Sequence, residues 1–135
     1  MGDRREQVGV SRSAITFDTG ALIALERRKE RALKVYTHAR DRGLVIATPN
    51  ATLAEWWRGR TDRREAVLRG LLVEPLSDET AKLAGLALGR VPGATAIDAI
   101  VAAFAAQRTG IVYTSDVGDL QALCAFFPAL RVFAI

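Results

Sequence analysis

The sequence predicts an α/β protein built on a parallel sheet, and three observations carry that reading. Short β-type runs alternate with longer helical patterns from Ser13 onward, the signature of βαβ units. The 135 residues are half hydrophobic and a quarter charged, enough to bury a core without disulfides. No internal repeat, low-complexity stretch or linker divides the chain, so one domain over 14–135 is expected, behind a flexible polar head at 1–13.

The elements follow in order. Strands are expected at 14–17, 44–47, 72–74, 111–114 and 132–134, five short strands that suit one sheet. Helices at 20–28 and 30–42 form a hairpin, with Leu33, Val35, Tyr36 and Ala39 available to a core and Gly43 as the stop. Thr48-Pro49 opens a helix through Leu53 and Trp56, which residues 59–62 interrupt before another helix at 63–70. Ser77-Asp78-Glu79-Thr80 caps a helix at 81–88. After Val91-Pro92-Gly93, residues 95–108 resume as an apolar, alanine-rich and therefore central helix.

Composition then removes several kinds of function. One cysteine, Cys124, excludes an internal disulfide or a multi-thiolate zinc site, and one histidine, His38, excludes histidine-rich metal or acid–base sites. Cys124 reads as a small apolar residue and His38 as a surface one. No apolar stretch approaches the roughly 20 residues that span a bilayer, and no signal-peptide pattern opens the chain, so no membrane association and a cytoplasmic location are expected. The net charge of +4 is modest, yet 16 of the 19 basic residues are arginine, whose planar fork suits phosphate. Any catalysis leans on carboxylates.

Four acids stand against the local hydrophobicity. Asp18 follows AITF and Asp116 follows IVYTS, so both fall where a buried parallel strand gives way to a helix, the edge where open α/β sheets bind ligands. Asp98 lies in AIDAIVAAFAA and Glu55 in LAEWW, among apolar neighbours that make an unpaired charge costly. Each also has a structural explanation: Asp18 and Asp116 as helix caps, Asp98 near the positive end of its helix, Glu55 paired with Arg58 or Arg60. Two carboxylates about 5 Å apart repel by roughly 3 kcal/mol at an effective dielectric near 20, so a cluster of such groups calls for a cation. An all-oxygen donor set selects a hard ion such as Mg2+, which can generate hydroxide, orient a phosphodiester and stabilise the leaving oxygen.

Together, FDTGALIAL at 17–25, TPNATLAEWWRG at 48–59, AIDAIVAAFA at 96–105 and TSDVGDL at 114–120 resemble the PIN domain. The likeness is strongest to VapC-type toxins of type II toxin–antitoxin pairs and covers about 14–135. It implies a parallel sheet of order 3-2-1-4-5 flanked by helices, with the strand ending at Asp18 beside the one ending at Asp116. It also implies a Mg2+- or Mn2+-dependent endoribonuclease acting on tRNA or rRNA, inhibited by a small cognate antitoxin, and a homodimer. The family's catalytic acids fall on Asp18, Glu55, Asp98 and Asp116. Asp119 joins them as a metal ligand, and Thr19, Thr114 and Ser115 support them. Leu120 stands where many members carry an aromatic residue, a change expected to affect packing rather than catalysis.

Arg58, Arg60, Arg63, Arg64 and Arg69 crowd the segment after Glu55. Arg58, Arg60, Arg63 and Arg64 are the candidate RNA-backbone contacts, the alternative being a solvated face paired with Asp62 and Glu65. Trp56 and Trp57 cannot both enter one core, so one is expected there and the other at a dimer or antitoxin surface. The competing reading is a non-catalytic module of the same fold that binds RNA or a partner. Phosphotransfer to Asp18 fits poorly, because position 20 is Gly rather than a second Asp and Lys82 lies within a helix.

Overall fold

Ile15, Thr16 and Phe17 are all buried, and they form β1 (Ile15–Phe17), the middle strand of a parallel sheet. The computed structural model describes residues 12–135; the expected head falls outside the described residues except for Arg12 and Ser13, which are exposed. From β1 the chain runs through α1 (Thr19–Glu26), α2 (Glu30–Asp41), β2 (Ile46–Pro49), α3 (Ala51–Trp56), α4 (Asp62–Arg69) and β3 (Leu72–Glu74). It continues through α5 (Asp78–Leu88), α6 (Ala96–Ala106), β4 (Ile111–Thr114), α7 (Val117–Leu123) and β5 (Arg131–Ala134).

The strand order is β3-β2-β1-β4-β5 with every pairing parallel, the order that the family resemblance implies. Thr16 pairs with Ala47 on one side and Val112 on the other, so β1 is covered along both edges. On one face, Phe17, Leu22, Leu25, Ile46, Trp56 and Val67 join the sheet to α1, α3 and α4. On the other, Ala99, Val101, Ala102, Ala103 and Val112 pack with Leu120 and Leu123. The small side chains of α6 let it lie close to the sheet, which is why so alanine-rich a helix is buried over much of its length. Leu120 is fully buried, in keeping with the packing role expected of it.

The boundaries move around β2, and the helix expected at 81–88 begins already at Asp78. β2 begins at Ile46 rather than Leu44, because Gly43 turns the chain at φ +68° and Leu44 donates its N–H to the Ala39 carbonyl, ending α2 instead of joining the sheet. Thr48 and Pro49 therefore close β2 and do not open α3. Proline is tolerated there because β1 has already ended at Phe17, and a strand end needs no further N–H on that side. The hairpin of α1 and α2 forms as expected, closed by Arg28 at φ +56°.

Candidate functional site

The carboxyl ends of β1 and β4 lie side by side, since Phe17 pairs with Tyr113 and the Asp18 N–H donates to the Tyr113 carbonyl. This register brings Asp18 and Asp116 to one edge of the sheet. Asp18 is only 8% exposed. It caps α1, accepting the Ala21 N–H at 2.8 Å. Asp116 occupies the corresponding position before α7, but its exposed carboxylate makes no capping bond. Its own N–H donates to the Thr114 hydroxyl at 2.9 Å.

Glu55 reaches the same edge from the last turn of α3, where its Oε1 accepts the Thr19 hydroxyl at 2.6 Å. The arginines considered as its partners are occupied otherwise. Arg58 donates to the carbonyls of Ala54 and Trp57 at 3.1 and 3.2 Å, and Arg60 lies 3.5 Å from Asp62. Asp98 sits in the first turn of α6, half-buried, with its N–H capped by the Thr95 hydroxyl at 3.1 Å. Asp119 sits in the first turn of α7, exposed.

The electrostatics tie these groups together. Burial pushes the Asp18 carboxyl above its ordinary value, the Thr114 hydroxyl and Ala21 N–H oppose that, and the charges of Asp98 and Glu55 add to it. Burial likewise raises Asp98, against the Thr95 hydroxyl, with Asp119, Glu55 and Asp116 reinforcing the rise. All five predicted acids thus appear in one repulsive set. Among the described residues, no three acidic, histidine or cysteine side chains already stand in ligating geometry. The donors nevertheless fit a hard dication: they offer only oxygen, and the charges of the neighbouring acids add to the rise of Asp18 and Asp98. His38 is exposed on α2 and Cys124 follows α7, neither belonging to this set.

The supporting residues divide. Thr19 and Thr114 touch acids directly. Ser115 acts through shape: a Cβ on Gly20 would overlap its Oγ, so only glycine lets the start of α1 lie against the turn between β4 and α7. Of the basic residues, Arg58, Arg60 and Arg63 are exposed. Arg63 lines a groove of about 210 Å3 with Leu25, Leu33, Tyr36 and Val67, and none of the five acids lines it. Arg64 is turned inward, its Nε 3.4 Å from Glu26 and its Nη1 2.9 Å from the Gly59 carbonyl. Trp56 is the core tryptophan, 3% exposed, and Trp57 stays half-buried against it.

Glu26 escaped the sequence reading. Its signal was an acid in the last turn of α1, where the helix dipole disfavours negative charge and a partner is called for. That partner is the Trp56 indole, which donates to Glu26 at 2.7 Å.

No family model matches the chain, and no curated protein matches it. Solved structures do. The crystal structure of VapBC2 from Rickettsia felis bound to a DNA fragment from its promoter aligns at TM-score 0.68 and 14% identity, over 90% of this chain and 98% of that one. The structure of FitAB bound to the IR36 DNA fragment aligns at TM-score 0.57 and 20% identity, over 89% and 94%. The sheet order and these neighbours agree: the chain shares the fold of the VapBC2 and FitAB structures, with the sheet order that the PIN-domain resemblance implies.

Proposed function

We propose that the protein is a Mg2+- or Mn2+-dependent endoribonuclease toxin, held inactive by a cognate antitoxin. The observation that carries this reading is the repulsive set of five carboxylates at one sheet edge, with no histidine or cysteine among them. The ordered likeness of four motifs to VapC-type toxins, and a fold neighbour bearing that name, support it.

Asp18, Asp98 and Asp116 would hold the ion, with Glu55 and Asp119 as further donors. When bound, the ion supplies Lewis acidity for hydrolysis of a phosphodiester. The chain's own residues prepare its place. Thr19 orients Glu55 by donating to it, and Thr114 orients Asp18 while fixing the backbone of Asp116. Thr95 fixes the first turn of α6 and hence Asp98. The exposed Arg58, Arg60 and Arg63 would meet the backbone of an RNA substrate, giving affinity without sequence choice. Arg64, already bonded within the chain, contributes least to that contact.

The test is RNA cleavage by antitoxin-free protein across tRNA and rRNA, with and without Mn2+, for the wild type and Asp98→Asn. Cleavage that needs Mn2+ and is lost in the variant is expected. Metal-independent RNA binding without product would replace this reading with a non-catalytic binding module.

A further inference from the structure

Glu55 sits at the end of a short helix whose first turn is held by the Thr52 hydroxyl, which donates to the Pro49 carbonyl at 2.9 Å. α3 has six residues, and Asn50 at its start makes no side-chain capping bond. The residue after Glu55 is anchored instead. The Trp56 Nε1 donates to Glu26 Oε1 at 2.7 Å, and the same oxygen lies 3.4 Å from Arg64 Nε. Arg64 in turn donates from Nη1 to the Gly59 carbonyl at 2.9 Å, pinning the loop that leaves α3. One carboxylate from α1 therefore gathers the end of α3, the following loop and the start of α4. Glu26 and Thr19 lie at opposite ends of α1, so that helix grips α3 twice: through Glu26 and Trp56, and through Thr19 and Glu55.

We propose that Glu26 is a positioning residue for Glu55, acting through the Trp56 indole and the Arg64 guanidinium. Glu55 points from Trp56's neighbouring position toward the acid edge, and a side chain there is directed by the helix end that carries it. Arg64 accordingly serves this clamp rather than the RNA backbone. What Glu55 does once held rests on the proposed function; how it is held does not.

The experiment has two arms on the antitoxin-free, full-length chain. The first needs no metal: amide hydrogen exchange in wild type, Glu26→Ala, Glu26→Gln and Trp56→Phe. The Trp57 N–H, bonded to the Leu53 carbonyl at 2.8 Å, reports the end of α3. Its exchange should quicken about tenfold or more in Glu26→Ala and Trp56→Phe while amides of α6 hold, and Glu26→Gln, which keeps an acceptor for the indole, should recover most of the protection. No change at Trp57, or an equal change in α6, overturns the proposal. The second arm reads Mn2+ affinity by electron paramagnetic resonance, with a weakening of about tenfold expected in Glu26→Ala and Trp56→Phe. Unchanged affinity in those variants overturns it as well. A wild type that takes up no Mn2+ removes the proposed cofactor, and the first arm alone then decides the clamp.

Discussion

Asp18 and Asp116 look alike in sequence: each follows an apolar parallel strand and precedes a helix, although by the Phe17–Tyr113 register Asp116 lies two residues beyond the position opposite Asp18. In the fold they part company. Asp18 is buried, caps its helix and accepts bonds from Ala21 and Thr114, whereas Asp116 is exposed and caps nothing. Asp18 has an architectural task beside the chemistry proposed for it, and Asp116 has only the proposed chemistry. Identical local context therefore does not fix how much stability a site residue supports. That depends on what the neighbouring helix covers.

The largest effects should fall where the two agree. Asp116→Asn and Asp98→Asn are each expected to reduce RNA cleavage by about 10³-fold, since a lost ligand removes several kcal/mol of charge stabilisation in the transition state. Single-turnover cleavage of tRNA in Mn2+ measures it, and retained activity in either variant would take that acid out of the site.

The contrast in stability comes next. At position 18, Ala should be less stable than Asn by about 1 kcal/mol, because Asn retains an acceptor for the α1 cap. At position 116 the same pair should agree within about 0.5 kcal/mol, there being no cap to lose. Urea midpoints of the four metal-free variants decide this, and equal gaps at the two positions would erase the distinction between them.

A pH profile sharpens it further. Asp18 and Asp98 are raised in the folded chain above their ordinary value of 3.8. The folded state then keeps protons that the unfolded state releases, so their contribution to stability falls as pH rises through the window above 3.8. Asp18→Asn should raise metal-free stability at neutral pH and flatten the slope between pH 4 and 7. A steeper slope in Asp18→Asn would contradict the assigned cause.

The smallest effect separates burial from function on β1 itself. The Thr16 hydroxyl, buried two residues before Asp18, has no hydrogen-bond partner among the described residues. Thr16→Val should stabilise the chain by about 1 kcal/mol and leave cleavage intact, while Asp18→Asn stabilises it and loses cleavage. Loss of cleavage in Thr16→Val would show that the hydroxyl has a task not visible in its contacts.

Much of this was legible in the sequence, for reasons that differ by element. β3 and β4 match the expected limits because turn residues bound them closely, and α6 was legible because few sequences are so apolar over three turns. β2 slipped by two residues because Leu44 and Val45 resemble strand residues, and only the register with β1 shows that the sheet begins at Ile46. Asp18, Glu55, Asp98 and Asp116 stood out against hydrophobic surroundings, Asp119 came only with the family resemblance, and the fold brings all five into one electrostatic set. The arginines after Glu55 could not be told apart by position. Only the packing of α4 on α1 shows Arg64 bonded inward and Arg63 on a groove wall. The tasks of Glu26 and Gly20 escaped the sequence for a related reason, since each matters through a residue distant in sequence, Trp56 or Ser115, and the misplaced charge of Glu26 signals only that a partner is needed.

The sheet order has a consequence for synthesis. β1 and β4 are neighbours in space but are made near opposite ends of the described chain, so Asp18 and Glu55 leave the ribosome long before Asp98 and Asp116. A nascent chain thus carries two of the five acids and no complete acid edge until β4 slides in beside β1. If the acids cut RNA, the machine that builds them, itself largely RNA, faces a finished blade only after residue 116 has cleared its exit tunnel and the sheet has closed.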